Sequence, residues 1–292
     1  MVSRIPSVAL GGAALLLASV TACSPMEENS PSATSGPSSS AAATCAPADL
    51  KTLAAGKLTI GTDNPAYGPW FSDNKPANGK GFESAVAYQV AERLGYQQSD
   101  VVWTDVTFLN AVAPGPKTYD IDVNQFSITD ERKAAVDFSS PYYLVRQAVI
   151  TTKGSKIAGA KSLADLKTAK LGAQVGTTSY QALTEVIKPS ADPSVFNNND
   201  DAKKALENGT VDGIVVDLPT AFYMTGAELD NGVIVGQLPQ VGVPEQFGIV
   251  LDKNSPLTGC VSKAVDQLRN DGTLAVLEKT WLAGSDGAPE LS

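Results

Sequence analysis

From Lys57 onward the apolar residues fall into two alternating patterns, short β-branched runs and longer stretches with a helical repeat. KLTIGT reads as a strand, GFESAVAYQVAERLG as a helix and VVWTDV as a strand. A short helix, the strand IDVNQFS and a turn-rich segment follow. After QAVITTK a second series begins: the capped helix SLADLK, strand KLGAQVG, helix TTSYQALTEVI, strand SVFNNN and helix DAKKALENG. It closes with strand GIVVDLP, helix AFYMTG and strand VIVGQLP. The chain then runs through EQFGIVLDK into a helix over 255–270 and an amphipathic piece, TLAVLEKTWLAG. Alternation of this kind predicts an α/β architecture with mainly parallel sheets. A length of 292 residues suits two modest lobes. With the second lobe inserted in the first, two extended crossovers near 147–151 and 240–248 would form a hinge.

The N-terminus follows a different pattern. MVSRIPSVALGGAALLLASVTAC has one positive charge, Arg4, and then an uncharged, largely apolar run from Ser7 to Val20. That is the pattern of an export signal, too short for a bilayer span. Its end, Val20-Thr21-Ala22-Cys23, resembles the bacterial lipobox, which implies cleavage before Cys23 and a lipid on its sulfur; a buried or disulfide-bonded Cys23 is the alternative. The next stretch, 24–44, is rich in Ser, Pro and Ala and has too little apolar surface to offset its ordering entropy, so it reads as a tether. The expected organisation is therefore a signal over 1–22, a tether over 23–44, lobe 1 over 45–148 with 244–292, and lobe 2 over 149–243. Two cysteines remain, Cys45 and Cys260, and an exported chain invites a disulfide between them; two separate thiols are the alternative.

Composition removes several function classes. A formal net charge of −9 with 18% charged residues lacks the clustered Lys and Arg that nucleic acid requires. The sequence contains no histidine, so it lacks the usual general base, the commonest zinc ligand and the middle member of a serine triad.

Six stretches, in order, carry a family resemblance: TDNPAYGPWF with GFESAVAYQVAERLG, FSITDERKAAVDFSSPYY, LGAQVGTTSY, ALENGTVDGIVVDLPTAFY, EQFGIVLDK and LRNDGTLAVLEKTWL. From Leu58 to Leu282 the chain resembles the family-3, polar amino-acid-binding proteins of ABC importers. The resemblance implies a two-lobed type II periplasmic-binding-protein fold, with two α/β lobes joined by a two-strand hinge. It implies a monomer without cofactor or metal that captures a free amino acid and delivers it to the permease and ATPase of an ABC transporter. With Cys23 it also implies attachment to the outer face of a bacterial cell membrane. A sensor module for a membrane receptor, or a dehydratase-like enzyme using Glu83, Asp63 or Asp217 as acid or base, are the rival readings.

A free amino acid presents a carboxylate and an ammonium, so its site needs planar donors for one and an anion for the other. By resemblance, Arg132 clamps the carboxylate, Ser127 adds a hydroxyl, and Gln125 offers its backbone carbonyl to the ammonium. An ordinary ion pair of Arg132 with Glu131 or Asp130 is the bland alternative. Thr178, in the loop before a helix, is expected on the same carboxylate, and Thr177 and Thr178 also suit helix capping. Asp217 ends an apolar strand and is expected to hold the ammonium, or merely to cap the helix before Pro219. Asp63, Tyr67, Trp70 and Phe108 align with positions flanking the ligand side chain, although Tyr67 or Trp70 could be core residues. Many relatives read GFD-x-D where this chain has Glu83 and Ala85, and some carry a lysine where it has Gln174. Asp63 without a lysine nearby favours a neutral polar or basic ligand over an acidic one.

Overall fold

The computed structural model describes residues 45–283 and 287–292; the signal, Cys23 and the tether fall outside the described residues. The strands in chain order are β1 (Leu58–Thr62), β2 (Val101–Asp105), β3 (Ile121–Asp122), β4 (Val136–Phe138), β5 (Tyr143–Val145) and β6 (Gln147–Thr152). There follow β7 (Leu171–Gln174), β8 (Ser194–Phe196), β9 (Gly213–Asp217), β10 (Gly232–Gln237), β11 (Glu245–Phe247) and β12 (Val250–Asp252). The helices are α1 (Phe82–Arg93), α2 (Phe108–Val112), α3 (Asp130–Ala135), α4 (Thr178–Ala182), α5 (Asn199–Glu207), α6 (Leu218–Tyr223), α7 (Thr258–Asn270) and α8 (Thr273–Trp281).

Two five-stranded sheets organise the chain, in the orders β2-β1-β3-β12-β4 and β10-β6-β9-β7-β8. Each is mixed. β1 runs parallel to β2 and β3, but β12 is antiparallel to β3 and β4. β7 runs parallel to β8 and β9, but β6 is antiparallel to β9 and β10. The expectation of mainly parallel sheets is corrected accordingly: the strand that enters each sheet from a crossover, β12 in the first and β6 in the second, runs against the βα series.

The first of the two crossovers also moves, while the second, 240–248, contains β11. Gln147–Thr151 is the buried start of β6, inside the second sheet. The strands that connect the sheets are β5 and β11, a separate antiparallel ribbon pairing Val145 with Glu245 and Tyr143 with Phe247. The apolar run after Gln147 needs burial on both faces, which a two-stranded ribbon cannot supply. SLADLK forms only a single tight turn, Ala164–Leu166, and the strand in IDVNQFS shrinks to Ile121–Asp122.

Helix α1 shows how local sequence places the first lobe. Phe82, Val86, Ala87, Val90 and Ala91 are buried at helical spacing against the first sheet. Gly81, before it, adopts φ 98°, and a Cβ there would meet the Trp70 carbonyl oxygen at 2.4 Å. In the second lobe the strands feed cores on both faces: Ala148, Ile150, Ile214 and Val216 to one side, Val149 and Val215 to the other. Cys45 and Cys260 are bonded, tying the first described residue to α7. Among the described residues no helix is long and apolar enough to cross a membrane.

Candidate functional site

The two sheets meet along a cleft whose enclosed space is about 30 Å³, roughly two water-sized volumes. Seven of the ten positions expected to bind ligand line it: Asp63, Tyr67, Phe108 and Gln125 from one side, Gln174, Thr178 and Asp217 from the other. Asn124, Thr177, Ser179 and Asn199 complete its polar wall.

Arg132 and Ser127 stand behind that wall. The Thr129 hydroxyl caps α3 by accepting from the Arg132 backbone N–H (3.2 Å), which fixes the start of the short helix that carries the guanidinium. Nη1 donates to the Ser127 carbonyl (2.7 Å) and Nη2 to the Gly176 carbonyl (3.0 Å), while the guanidinium carbon lies 5.2 Å from the centre of the Phe108 ring. Phe108 in turn stacks on Phe126 at 4.8 Å. Asp130, offered as a surface partner for Arg132, pairs instead with Lys133 (3.2 Å). Burial pulls the Arg132 pKa down, and the fields of Glu245, Asp217 and Glu131 oppose that fall. A guanidinium starts so high that it keeps its charge.

Ser127 is buried, and its hydroxyl donates to Glu245 Oε1 at 2.5 Å while lying 3.1 Å from Thr178 Oγ1. A hydroxyl has one proton, so in this arrangement Ser127 has only lone pairs left for any other group. Thr177, not Thr178, caps α4, accepting from the Tyr180 N–H at 3.1 Å. Asp217 does precede α6, yet its carboxylate makes no capping bond; it accepts from Gln147 Nε2 at 2.8 Å. The simple capping alternative for Asp217 therefore fails.

Trp70 is a correction. Its ring is fully buried in lobe 1, edge-on to Phe82, Tyr143 and Phe247 at 5.6–6.0 Å, and does not line the cavity. The cause is its position: it packs beneath Gly81 and α1, where a bulky ring fills the core. Its one polar atom, Nε1, donates to Thr220 Oγ1 of the second lobe at 2.8 Å.

The cleft is rich in acid. Asp63 accepts from the Asn64 and Phe108 N–H groups, and burial still raises its pKa, helped by the charge of Asp105. Glu83 is wholly buried and its pKa is pushed up to about 7 by loss of solvent, despite bonds from Tyr142 and from the backbone and side chain of Gln125. Those bonds occupy both oxygens and shut Glu83 away behind Gln125, whose backbone is itself left-handed at φ 47°. Asp122 is fully buried with neither oxygen hydrogen-bonded, and burial followed by the fields of Glu83 and Asp63 holds its pKa well above normal. Asp217 is raised by burial, then by Glu245.

Glu245, Gln147 and Asp122 are absent from the sequence-based site. Gln147 and Asp122 each interrupt an apolar run with one buried polar residue, a signal that pattern analysis passes over. Glu245 opens a crossover strand, and only the fold brings it to Ser127.

The chain is similar to known proteins over most of its described length. The family model for bacterial extracellular solute-binding proteins, family 3, matches residues 58–284. The L-cystine-binding protein TcyJ of Escherichia coli is 28% identical over 234 residues, covering 79% of this chain and 84% of that protein. The ABC transporter glutamine-binding protein GlnH of Bacillus subtilis is 30% identical over 217 residues, covering 73% and 77%. Among solved structures, an ancestral arginine-binding protein bound to glutamine superposes with TM-score 0.65 at 31% identity, covering 77% of this chain and 97% of that one. The arginine-, lysine-, histidine-binding protein ArtJ of Geobacillus stearothermophilus gives TM-score 0.66 at 26% identity, covering 77% and 94%. The two lobes form a type II periplasmic-binding-protein fold, and the chain belongs to the family-3 bacterial extracellular solute-binding proteins.

Proposed function

We propose that this protein captures a free polar amino acid between its lobes, unchanged chemically, and hands it to the permease of an ABC importer. The carrying observation is the convergence of Asp63, Tyr67, Phe108, Gln125, Gln174, Thr178 and Asp217 on one interlobe cavity. Asp217 is the anion for the ligand ammonium, and Asp63 faces its side chain. Arg132 is the carboxylate clamp: its Nη2 bond to the Gly176 carbonyl joins the two lobes, so parting them frees that donor for a ligand.

Asp63, which lines the cavity with no lysine or arginine beside it, favours a cationic or amide side chain over an acidic one by like-charge repulsion. Relatives named for arginine, histidine, glutamine and cystine are consistent with that range. Chemistry by Glu83 is disfavoured because both its oxygens are engaged away from the cavity. About 30 Å³ is too small for an amino acid, so entry requires opening, with β5 and β11 as hinge between the lobe built on the first sheet and the lobe built on the second. We read Cys23 as the lipidated residue that anchors the protein, as a monomer, to the outer face of the cell membrane; the motif from Val20 to Cys23 supports it.

A thermal-shift panel of L-arginine, L-lysine, L-histidine, L-glutamine, L-cystine and L-glutamate tests the reading on a chain starting at Cys45. The expected result is a rise in midpoint with a basic or amide ligand that disappears in Arg132→Ala. A rise with glutamate alone, or an unaltered response in Arg132→Ala, refutes it.

A further inference from the structure

Gln147 and Glu245 form a polar chain running from one lobe to the other through the crossover ribbon. The Gln147 side chain is buried and spends every polar atom. Its Oε1 accepts from Ser179 Oγ at 2.7 Å, and its Nε2 donates to Asp217 Oδ1 at 2.8 Å and to the Glu245 carboxylate at 3.1 and 3.2 Å. Glu245, on β11, accepts the Ser127 proton with the same carboxylate. One amide thus stands between two carboxylates that repel each other, and one of those carboxylates is the anion assigned to the ligand ammonium.

We infer that Gln147 and Glu245 are positioning residues for amino-acid binding: the Gln147 amide fixes the Asp217 carboxylate in place, and Glu245 ties that amide to Ser127 beside Arg132. The anion for the ligand ammonium is then set by a network mounted on the hinge that reaches the residues beside the carboxylate clamp. The inference rests on the proposed function above.

Its electrostatics can be followed group by group. Asp217 is faced by Glu245 from β11, Glu83 from α1, Tyr142 from the segment before β5 and Arg132 from α3. Burial and the two glutamates raise its pKa; the Gln147 bond and Arg132 lower it. Removing the Gln147 amide therefore leaves Asp217 protonated to higher pH, and removing the Glu245 charge does the reverse.

Isothermal titration of L-arginine, L-histidine, L-glutamine and L-cystine, from about pH 5 to about pH 9, provides the test. In the wild type, affinity falls toward acid as Asp217 takes up a proton. Gln147→Leu should weaken binding at neutral pH by about tenfold or more, with the acid limb displaced to higher pH. Glu245→Gln in that background should bring the limb back. Glu245→Gln alone should move it to lower pH, a readout that survives if Gln147→Leu fails to fold. An acid limb that stays in place in Gln147→Leu, or in Glu245→Gln, overturns the inference while leaving amino-acid binding intact. A wild type that binds none of the four overturns both.

Discussion

Glu83→Gln should make the protein more stable at alkaline pH and leave it nearly unchanged in acid. Glu83 lies wholly buried on the first turn of α1, and its pKa rises from 4.5 to about 7 because ionisation would put a charge where water cannot reach it. A folded-state pKa above the unfolded value means that the native state binds the proton more tightly. The group adds no penalty below about pH 4.5, and folding stability drains away as pH climbs from there to about 7. At about 1.4 kcal/mol per unit, the full penalty above that window is roughly 3 kcal/mol. Glutamine keeps an oxygen for the Gln125 N–H and Tyr142 hydroxyl, and the Gln125 amide can flip to receive its new N–H₂. At pH 8 the variant should therefore gain roughly 6–12 °C in melting midpoint for a chain of this size, and the gain should vanish near pH 4.5. Thermal unfolding of both proteins across the range, with ligand removed by dialysis, gives the difference curve. A variant less stable at pH 8 than wild type, or a difference independent of pH, refutes the assignment of a desolvated, proton-holding Glu83.

Two further outcomes follow from contacts already described. Thr220→Val removes the acceptor of the Trp70 indole N–H, and an unsatisfied buried donor costs about 1–3 kcal/mol. Because that bond joins the lobes, the loss should fall on closure, raising Kd roughly fivefold or more in titration calorimetry while unfolding of the individual lobes is little affected; an unchanged Kd refutes it. Replacing both Cys45 and Cys260 with alanine opens a loop of 215 residues, and chain entropy sets the loss at up to about 5 kcal/mol. Denaturant unfolding should show it, and a wild-type midpoint in the double variant would contradict that estimate.

Much of the fold was legible in periodicity. KLTIGT and the α1 stretch carry their buried residues at strand and helix spacing, so β1 and α1 stand within a few residues of expectation. Of the two expected crossovers, 240–248 contains β11, but 147–151 was misplaced because a buried strand and a hinge strand are both extended and apolar; only pairing, Gln147 with Asp217 and Val145 with Glu245, separates them. Cavity-lining positions next to a glycine turn or at a strand end, such as Thr178 and Asp217, were readable because those positions expose backbone and side chain together. Trp70 was not, since an aromatic beside a binding loop looks the same in sequence whether it turns outward or into the core. Gln147 and Glu245 meet across 98 residues of chain, and nothing local in either segment encodes the partner.

The indole of Trp70 gives the molecule an optical reporter of its own state. Its ring sits among aromatic side chains in one lobe while its single polar atom is held by a threonine of the other. Separating the lobes exchanges that threonine for water and shifts the emission to longer wavelength. Domain motion can therefore be followed in unlabelled protein, with the Thr220→Val variant marking which part of the signal belongs to this tryptophan.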